Sequence, residues 1–244
     1  MDKLRQAAEK IIVALDVSDE QSATRILEQL SGHVKTFKIG PTLFNAIGVP
    51  KAINLVRHFD AGIFFDGKFN EIPKIVADSI RSLPDSGIDF FTIHANAGEA
   101  ALLEAAKEKR NMKMLAITVL TSLDDWDVRH TFHMSRPEAV MHFAGLAVGA
   151  GADGLVSSVG DLPWILQEKN KAKFAGTIKV VTGVRPSWYT LADDQRNVER
   201  PEVAIRKGAN FIVVGRPITH PPREIGSMKN AFEKIVQEIA FALP

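Results

Sequence analysis

Eight short runs rich in β-branched and aromatic residues recur along this 244-residue chain, separated by stretches of helical period. They fall at residues 11–17, 34–39, 62–66, 90–94, 112–120, 154–156, 178–182 and 211–214, and runs of this length and composition read as strands. Amphipathic helical patterns occupy 22–30, 72–80, 99–107, 137–148 and 202–207. A last one, at 228–243, sets Phe232, Ile235, Val236, Ile239 and Leu243 on one stripe. Strands alternating with helices cross over right-handed into a parallel sheet, and eight such units close on themselves. The expectation is an α/β chain, a single-domain (β/α)8 TIM barrel over residues 1–244 with a short N-terminal lead-in helix. No Ser/Gly/Pro-rich linker marks a boundary, and a hydrophobic share of 45% suffices for one full core.

A barrel places its chemistry at the C-terminal ends of its strands and in the loops beyond them. Polar residues gather there in this sequence: Asp16, Lys38, Asp66 with Lys68, His94, Thr121, Arg185 and Arg216. The densest stretch is Asp66-Gly67-Lys68-Phe69-Asn70-Glu71-Ile72-Pro73, directly after the apolar run Ala61-Gly62-Ile63-Phe64-Phe65. Alternation along a strand points Asp66 and Lys68 to one face, and Glu71 follows within a turn. Two acids bracketing a lysine can handle a proton without a metal. A lone strand-end Asp often caps the next helix, and a lone strand-end His usually packs. Convergence of so many on one barrel mouth argues for a site.

Val213-Val214-Gly215-Arg216-Pro217-Ile218-Thr219 is a candidate phosphate loop. Glycine lets backbone N–H groups approach an anion, and arginine offers a fork that matches phosphate oxygens. A second cation lies in Thr182-Gly183-Val184-Arg185-Pro186, ahead of the long polar segment Ser187-Trp188-Tyr189-Thr190-Leu191-Ala192-Asp193-Asp194-Gln195. Loops of that length in compact barrels commonly close over ligand, so a lid is expected, with Arg185 and Gln195 facing the ligand.

Charge and cysteine usage exclude other classes. With 30 basic and 29 acidic residues the net charge is +1, which gives no footing for nucleic acid or a membrane surface. Zero cysteines exclude disulfides, thiol nucleophiles and cysteine-ligated zinc. Met1-Asp2-Lys3-Leu4-Arg5-Gln6 is charged and lacks an apolar signal core, so a cytoplasmic protein is expected. His130 and His133, in Arg129-His130-Thr131-Phe132-His133, are spaced for a metal pair without a third ligand, and the segment is expected to be a solvated loop.

The motifs together resemble the orotidine 5′-monophosphate decarboxylase family. Ala14-Leu15-Asp16, Phe37-Lys38-Ile39-Gly40, Phe65-Asp66-Gly67-Lys68 with Ile72-Pro73, and Thr118-Val119-Leu120-Thr121-Ser122 carry the resemblance. So do Gly183-Val184-Arg185-Pro186, Asp193-Asp194-Gln195 and Val214-Gly215-Arg216-Pro217-Ile218-Thr219, all in family order. The resemblance implies conversion of orotidylate to uridylate and CO2, the last step of de novo pyrimidine biosynthesis, with neither metal nor cofactor. It implies that Asp16 binds the ribose hydroxyls and that Lys38 bridges ribose and the charged network. Asp66 would face the substrate carboxylate and Lys68 would protonate C6 of the pyrimidine. Thr121 and Ser122 would contact the ring, and Arg185, Gln195, Gly215 and Arg216 would grip the phosphate, with Gln195 also reaching the base. Glu71 would enter the site of a second subunit, which implies a homodimer with shared sites.

The chain departs from the family pattern in four places. Glu71 stands where aspartate is usual, and Gly67 where a larger apolar residue is usual. His94-Ala95-Asn96-Ala97-Gly98 lacks the usual double glycine, and Thr182 replaces a proline. Two other readings stay open. One is a magnesium-dependent sugar-phosphate lyase on the same barrel, such as 3-keto-gulonate-6-phosphate decarboxylase or hexulose-phosphate synthase, which carry a glutamate metal ligand where Lys38 stands. The other is a catalytically weak phosphate-ligand-binding barrel, motivated by Glu71.

Overall fold

A computed structural model describes residues 2–84, 87–170, 172–190 and 199–243. A helix, α1 (Lys3–Ala8), leads into β1 (Ile11–Ala14) and α2 (Glu20–Leu30). Next come β2 (Thr36–Ile39), α3 (Pro41–Ile47), α4 (Val49–His58), β3 (Gly62–Phe69) and α5 (Pro73–Arg81). The middle of the chain holds β4 (Ile88–His94), α6 (Glu99–Glu108), β5 (Lys113–Ile117), α7 (Asp125–Phe132), α8 (Arg136–Gly149) and β6 (Gly154–Ser158). It ends with α9 (Leu162–Ile165), β7 (Ile178–Thr182), α10 (Pro201–Arg206), β8 (Phe211–Val214), α11 (Arg216–Thr219) and α12 (Met228–Ala240). All eight strands are parallel, each pairs with its sequence neighbour, and β8 pairs with β1 to close the barrel.

Strand alternation splits the core into two layers. Ile12, Ala14, Phe64, Leu115, Ile117, Val156 and Val180 fill the barrel interior. Their neighbours, such as Ile11, Val13, Ile63, Phe65, Ala116, Leu155 and Val181, face the helices and form the larger outer layer. Helix starts are fixed by side-chain caps: Asp19 Oδ1 accepts from the Ser22 N–H at 2.7 Å, and Ser135 with Glu138 forms a capping box on α8.

Two departures from the sequence reading bear on the site. The segment holding His130 is helical, not a loop: α7 opens on an Asp124–Asp127 capping box, and the His130 ring stacks on Trp126 with centroids 3.7 Å apart. Strand β3 also runs past Asp66 to Phe69, and its pairing with β4 jumps from Phe65↔Phe91 to Phe69↔Ile93. Four residues of β3 therefore oppose two of β4. The surplus forms a bulge at Asp66, Gly67 and Lys68.

Candidate active site

The bulge faces a cavity of about 600 Å³ at the C-terminal mouth of the barrel. Its floor is the top of the apolar interior, including Ala14, Phe64, Ile117 and Val156. One wall is charged. Asp16, just beyond β1, accepts from Lys38 Nζ at 2.8 Å, and Lys38 Nζ lies 3.3 Å from Asp66 Oδ2. Lys68 Nζ donates to the same Asp66 oxygen. Asp16, Lys38, Asp66 and Lys68 thus form a row of alternating charge, buried at its centre and opening to solvent at both ends.

Backbone geometry explains how the row is assembled. Lys68 sits at φ 48°, a left-handed conformation that costs a non-glycine residue about 1–3 kcal/mol unless its surroundings impose it. The Thr92 hydroxyl accepts from the Lys68 N–H at 2.9 Å and donates to Asp66 Oδ1 at 2.8 Å. Gly40 leaves room for the row: a Cβ there would stand 3.0 Å from both Asp16 Oδ1 and Lys38 Nζ and press on the pair. Gly67 has a local reason too. A Cβ would come within 2.7 Å of the Phe65 ring, which stacks on Phe44 at 5.3 Å and lies beside Phe69 at 6.2 Å. The aromatic cluster fills the space that a larger residue would need.

Protonation states follow from the same contacts. Burial alone would push the Lys38 ammonium down, but the Asp66 and Asp16 carboxylates outweigh it and hold it above its usual 10.5. Burial would push Asp66 up, but Lys38 and Lys68 outweigh it and hold the carboxyl below its usual 3.8. Both centres of the row are ionised at neutral pH. His94, at the end of β4, is pushed down by burial and then by Lys68, so its imidazole is neutral.

Opposite β3 in the closed barrel lies β7, and β8 follows it. Arg185 after β7, and Gly215 and Arg216 after β8, line the cavity on that side. Arg185 Nη1 donates to the Val184 carbonyl at 2.9 Å, and its guanidinium lies 5.9 Å from the Tyr189 ring centre. The chain is pinned on both sides of residues 191–198: the Arg185 N–H donates to the Glu199 carbonyl at 2.9 Å, and Trp188 Nε1 donates to Glu238 Oε1 at 2.9 Å. Gln195, with Asp193, Asp194 and most of the expected lid, lies outside the described residues.

Thr121 lines the cavity, whereas Ser122 is exposed and does not. The Leu120–Leu123 turn, closed by a 3.2 Å backbone hydrogen bond, sends the two side chains apart. Behind it, Arg136 donates to both Asp161 carboxylate oxygens at 2.9 and 3.2 Å, and to the Leu123 carbonyl at 2.9 Å. Glu71 is exposed and outside the cavity of its own chain, because the chain leaves the barrel between Phe69 and Pro73. Its carboxylate accepts from the Ile72 N–H. Among the described residues no three His, Cys, Asp or Glu side chains cluster to hold a metal.

The sequence reading does not name Thr92, Thr42 or His220, and it names Thr219 only as the end of the candidate phosphate loop. Thr42, Thr219 and His220 line the cavity, and Thr92 braces it from β4. The available signal was a hydroxyl residue in the otherwise apolar run Phe90-Phe91-Thr92-Ile93, and polar residues flanking motif glycines.

Comparison with known proteins matches residues 9–229 to the family described as orotidine 5'-phosphate decarboxylase / HUMPS. The chain belongs to that family. It is 37% identical to the orotidine 5'-phosphate decarboxylase of Moorella thermoacetica, covering 91% of this chain and 90% of the relative. The Methylococcus capsulatus protein of the same name is 35% identical, over 92% and 91% of the two chains. A crystal structure of orotidine 5'-phosphate decarboxylase from Lactobacillus acidophilus superposes with a TM-score of 0.78 at 29% identity, covering 95% of this chain and 99% of that one.

Proposed function

We propose that this chain decarboxylates orotidine 5′-monophosphate to uridine 5′-monophosphate. The observation that carries the reading is the charged row Asp16–Lys38–Asp66–Lys68 lining one cavity together with the arginines after β7 and β8. The names and coverage of the relatives support it. In this reading Arg185, Arg216 and the Gly215 backbone hold the phosphate, Asp16 and Lys38 hold the ribose, and Thr121 lies by the base. The substrate carboxylate lies against Asp66. When the C6–CO2 bond breaks, its electron pair stays on C6 and Lys68 Nζ delivers a proton there, so one proton is consumed and CO2 leaves. A fixed ammonium beside a developing carbanion is worth far more in a secluded, low-dielectric site than in water. Phosphate binding remote from C6 supplies energy for orientation.

The magnesium-lyase reading is disfavoured by Lys38, whose ammonium occupies the gap between Asp16 and Asp66. The test is loss of orotidylate absorbance with pure protein, with and without chelator. Turnover indifferent to chelator supports the decarboxylase; chelator-sensitive turnover supports the lyase; binding without turnover supports the weak barrel.

The reading extends to a cytoplasmic homodimer in which Glu71 completes the neighbour's site. The outward placement of Glu71, beside Ile72 at 62% exposure, supports this. Among the described residues no helix is long and apolar enough to cross a membrane. Mixing inactive Lys68→Ala with inactive Glu71→Ala protein should restore activity, since a mixed dimer holds one site with both groups intact. No recovery after subunit exchange would refute the shared site.

A further inference from the structure

Thr92 is fully buried on β4, two residues along from Phe90, which fills the barrel interior. Alternation therefore points it inward, toward the charged row. Its single hydroxyl makes two bonds, accepting from the Lys68 N–H and donating to Asp66 Oδ1. Those two bonds span the bulge from one end to the other. No ladder register is formed between Phe65↔Phe91 and Phe69↔Ile93, so strand pairing cannot hold these three residues in place. The side chain of a neighbouring strand takes over that task. The Thr92 hydroxyl also assigns the oxygens of Asp66: with Oδ1 accepting from Thr92, Oδ2 is turned to Lys38 and Lys68.

We propose that Thr92 is a positioning residue for decarboxylation, its hydroxyl holding the left-handed Lys68 backbone and the Asp66 carboxylate in register with the reacting carbon. The proposal rests on the decarboxylase reading. Valine keeps the shape of threonine without the hydroxyl, and serine keeps the hydroxyl without the methyl. A shift of about 1 Å at a reacting group costs roughly a hundredfold in rate. Thr92→Val should therefore lower kcat about a hundredfold, with KM for orotidylate and affinity for uridylate within about threefold of wild type. Thr92→Ser should recover kcat to within about tenfold of wild type.

A second readout needs no turnover. The groups facing Asp66 are Lys38 from β2, Lys68 from β3, and Thr92 and His94 from β4, with Asp16 behind Lys38. Loss of a donor to the carboxylate should raise its titration midpoint in Thr92→Val and leave it low in Thr92→Ser, read by carbon-13 NMR of the labelled Asp66 carboxyl. Should the valine variant fail to fold in thermal melts, Thr92→Ala carries the same expectation. The proposal is overturned if the hydroxyl-free variant retains kcat within threefold, if serine is as impaired as valine, if the rate loss follows a loss of uridylate affinity, or if the Asp66 titration does not move. Wild-type protein that leaves orotidylate unconsumed would overturn the decarboxylase reading instead, while the Asp66 titration would still decide whether Thr92 sets the bulge.

Discussion

Replacing Asp66 with asparagine removes the anion shared by two lysines while keeping the shape of the side chain. The Lys38 and Asp66 side chains are each only 9% exposed and stand 3.3 Å apart. At an effective dielectric constant of about 20, that separation corresponds to a Coulomb attraction of about 5 kcal/mol before desolvation is counted. Removing one partner of a buried pair generally costs about 3–5 kcal/mol, because the survivor is left buried and uncompensated. Lys38 keeps Asp16, but that carboxylate is 53% exposed and well screened. For a chain of this size the melting temperature of Asp66→Asn should fall by about 6–20 °C at pH 7. The pH dependence has a definite sign. Asp66 titrates below its usual 3.8 in the folded state, so its contribution is complete above that value and vanishes as pH falls through the lower folded value. Lys38 titrates above 10.5, so its contribution is complete below that value and is lost only as pH rises past the higher folded one. Thermal melts by circular dichroism should show a gap between wild type and variant that is flat from about pH 5 to 9 and closes in acid. Equal melting temperatures at pH 7, or a gap that widens in acid, would refute the account of a mutually ionised row.

Three further outcomes follow from single side chains. Lys68→Ala should abolish turnover while uridylate still binds within about tenfold of wild type, measured by calorimetry; near-normal turnover would remove Lys68 from the chemistry. Arg216→Ala should raise KM for orotidylate by about 10–150-fold, the range expected for a charge-assisted hydrogen bond of about 1.5–3 kcal/mol, and leave the response to phosphate-free orotidine unchanged. An equal loss on both substrates would contradict a phosphate role. The Ser157 hydroxyl is buried and makes no hydrogen bond among the described residues. Ser157→Ala should therefore raise stability by about 1 kcal/mol, or about 2–4 °C in melting temperature, and a clear drop would show that the hydroxyl has a partner.

How far the sequence could be read depended on what fixes each feature. The strands at 178–182 and 211–214 have the boundaries expected, because β-branched runs bounded by polar turns identify a buried parallel strand. Strand pairing is a property of neighbours, so the bulge after Phe65 left no local trace, and simple alternation described its outcome but not its path. The helices α3 and α4 were missed because Gly48 and Pro50 interrupt their apolar pattern, and α7 because only Val128 of its residues is buried. At the site, charged residues after strands were legible because barrels put them there. Whether a side chain near such an end enters the cavity depends on one turn of backbone, which separates Thr121 from Ser122 and directs Glu71 outward.

The alternating row has a consequence for where the reaction gains its energy. Each cation lies against an acid and each acid against a cation, so all four charges are mutually supported before a ligand arrives. A substrate carboxylate placed against Asp66 adds a fifth charge of the wrong sign for that acid and competes with it for Lys68. On the decarboxylase reading proposed above, departure of CO2 removes this charge, and the new electron pair on C6 takes the Lys68 proton. The row then carries a neutral amine where it held an ammonium, an imbalance corrected by reprotonation from solvent, to which Lys68 is open at 36% side-chain exposure. In the same reading Lys38, buried and flanked by two acids that hold its ammonium above the usual range, keeps its proton and holds Asp66 ionised while Lys68 cycles. In that reading two lysines one strand apart differ in role because Lys38 is buried between two acids, whereas the bulge sets Lys68 at the more exposed edge of the cavity.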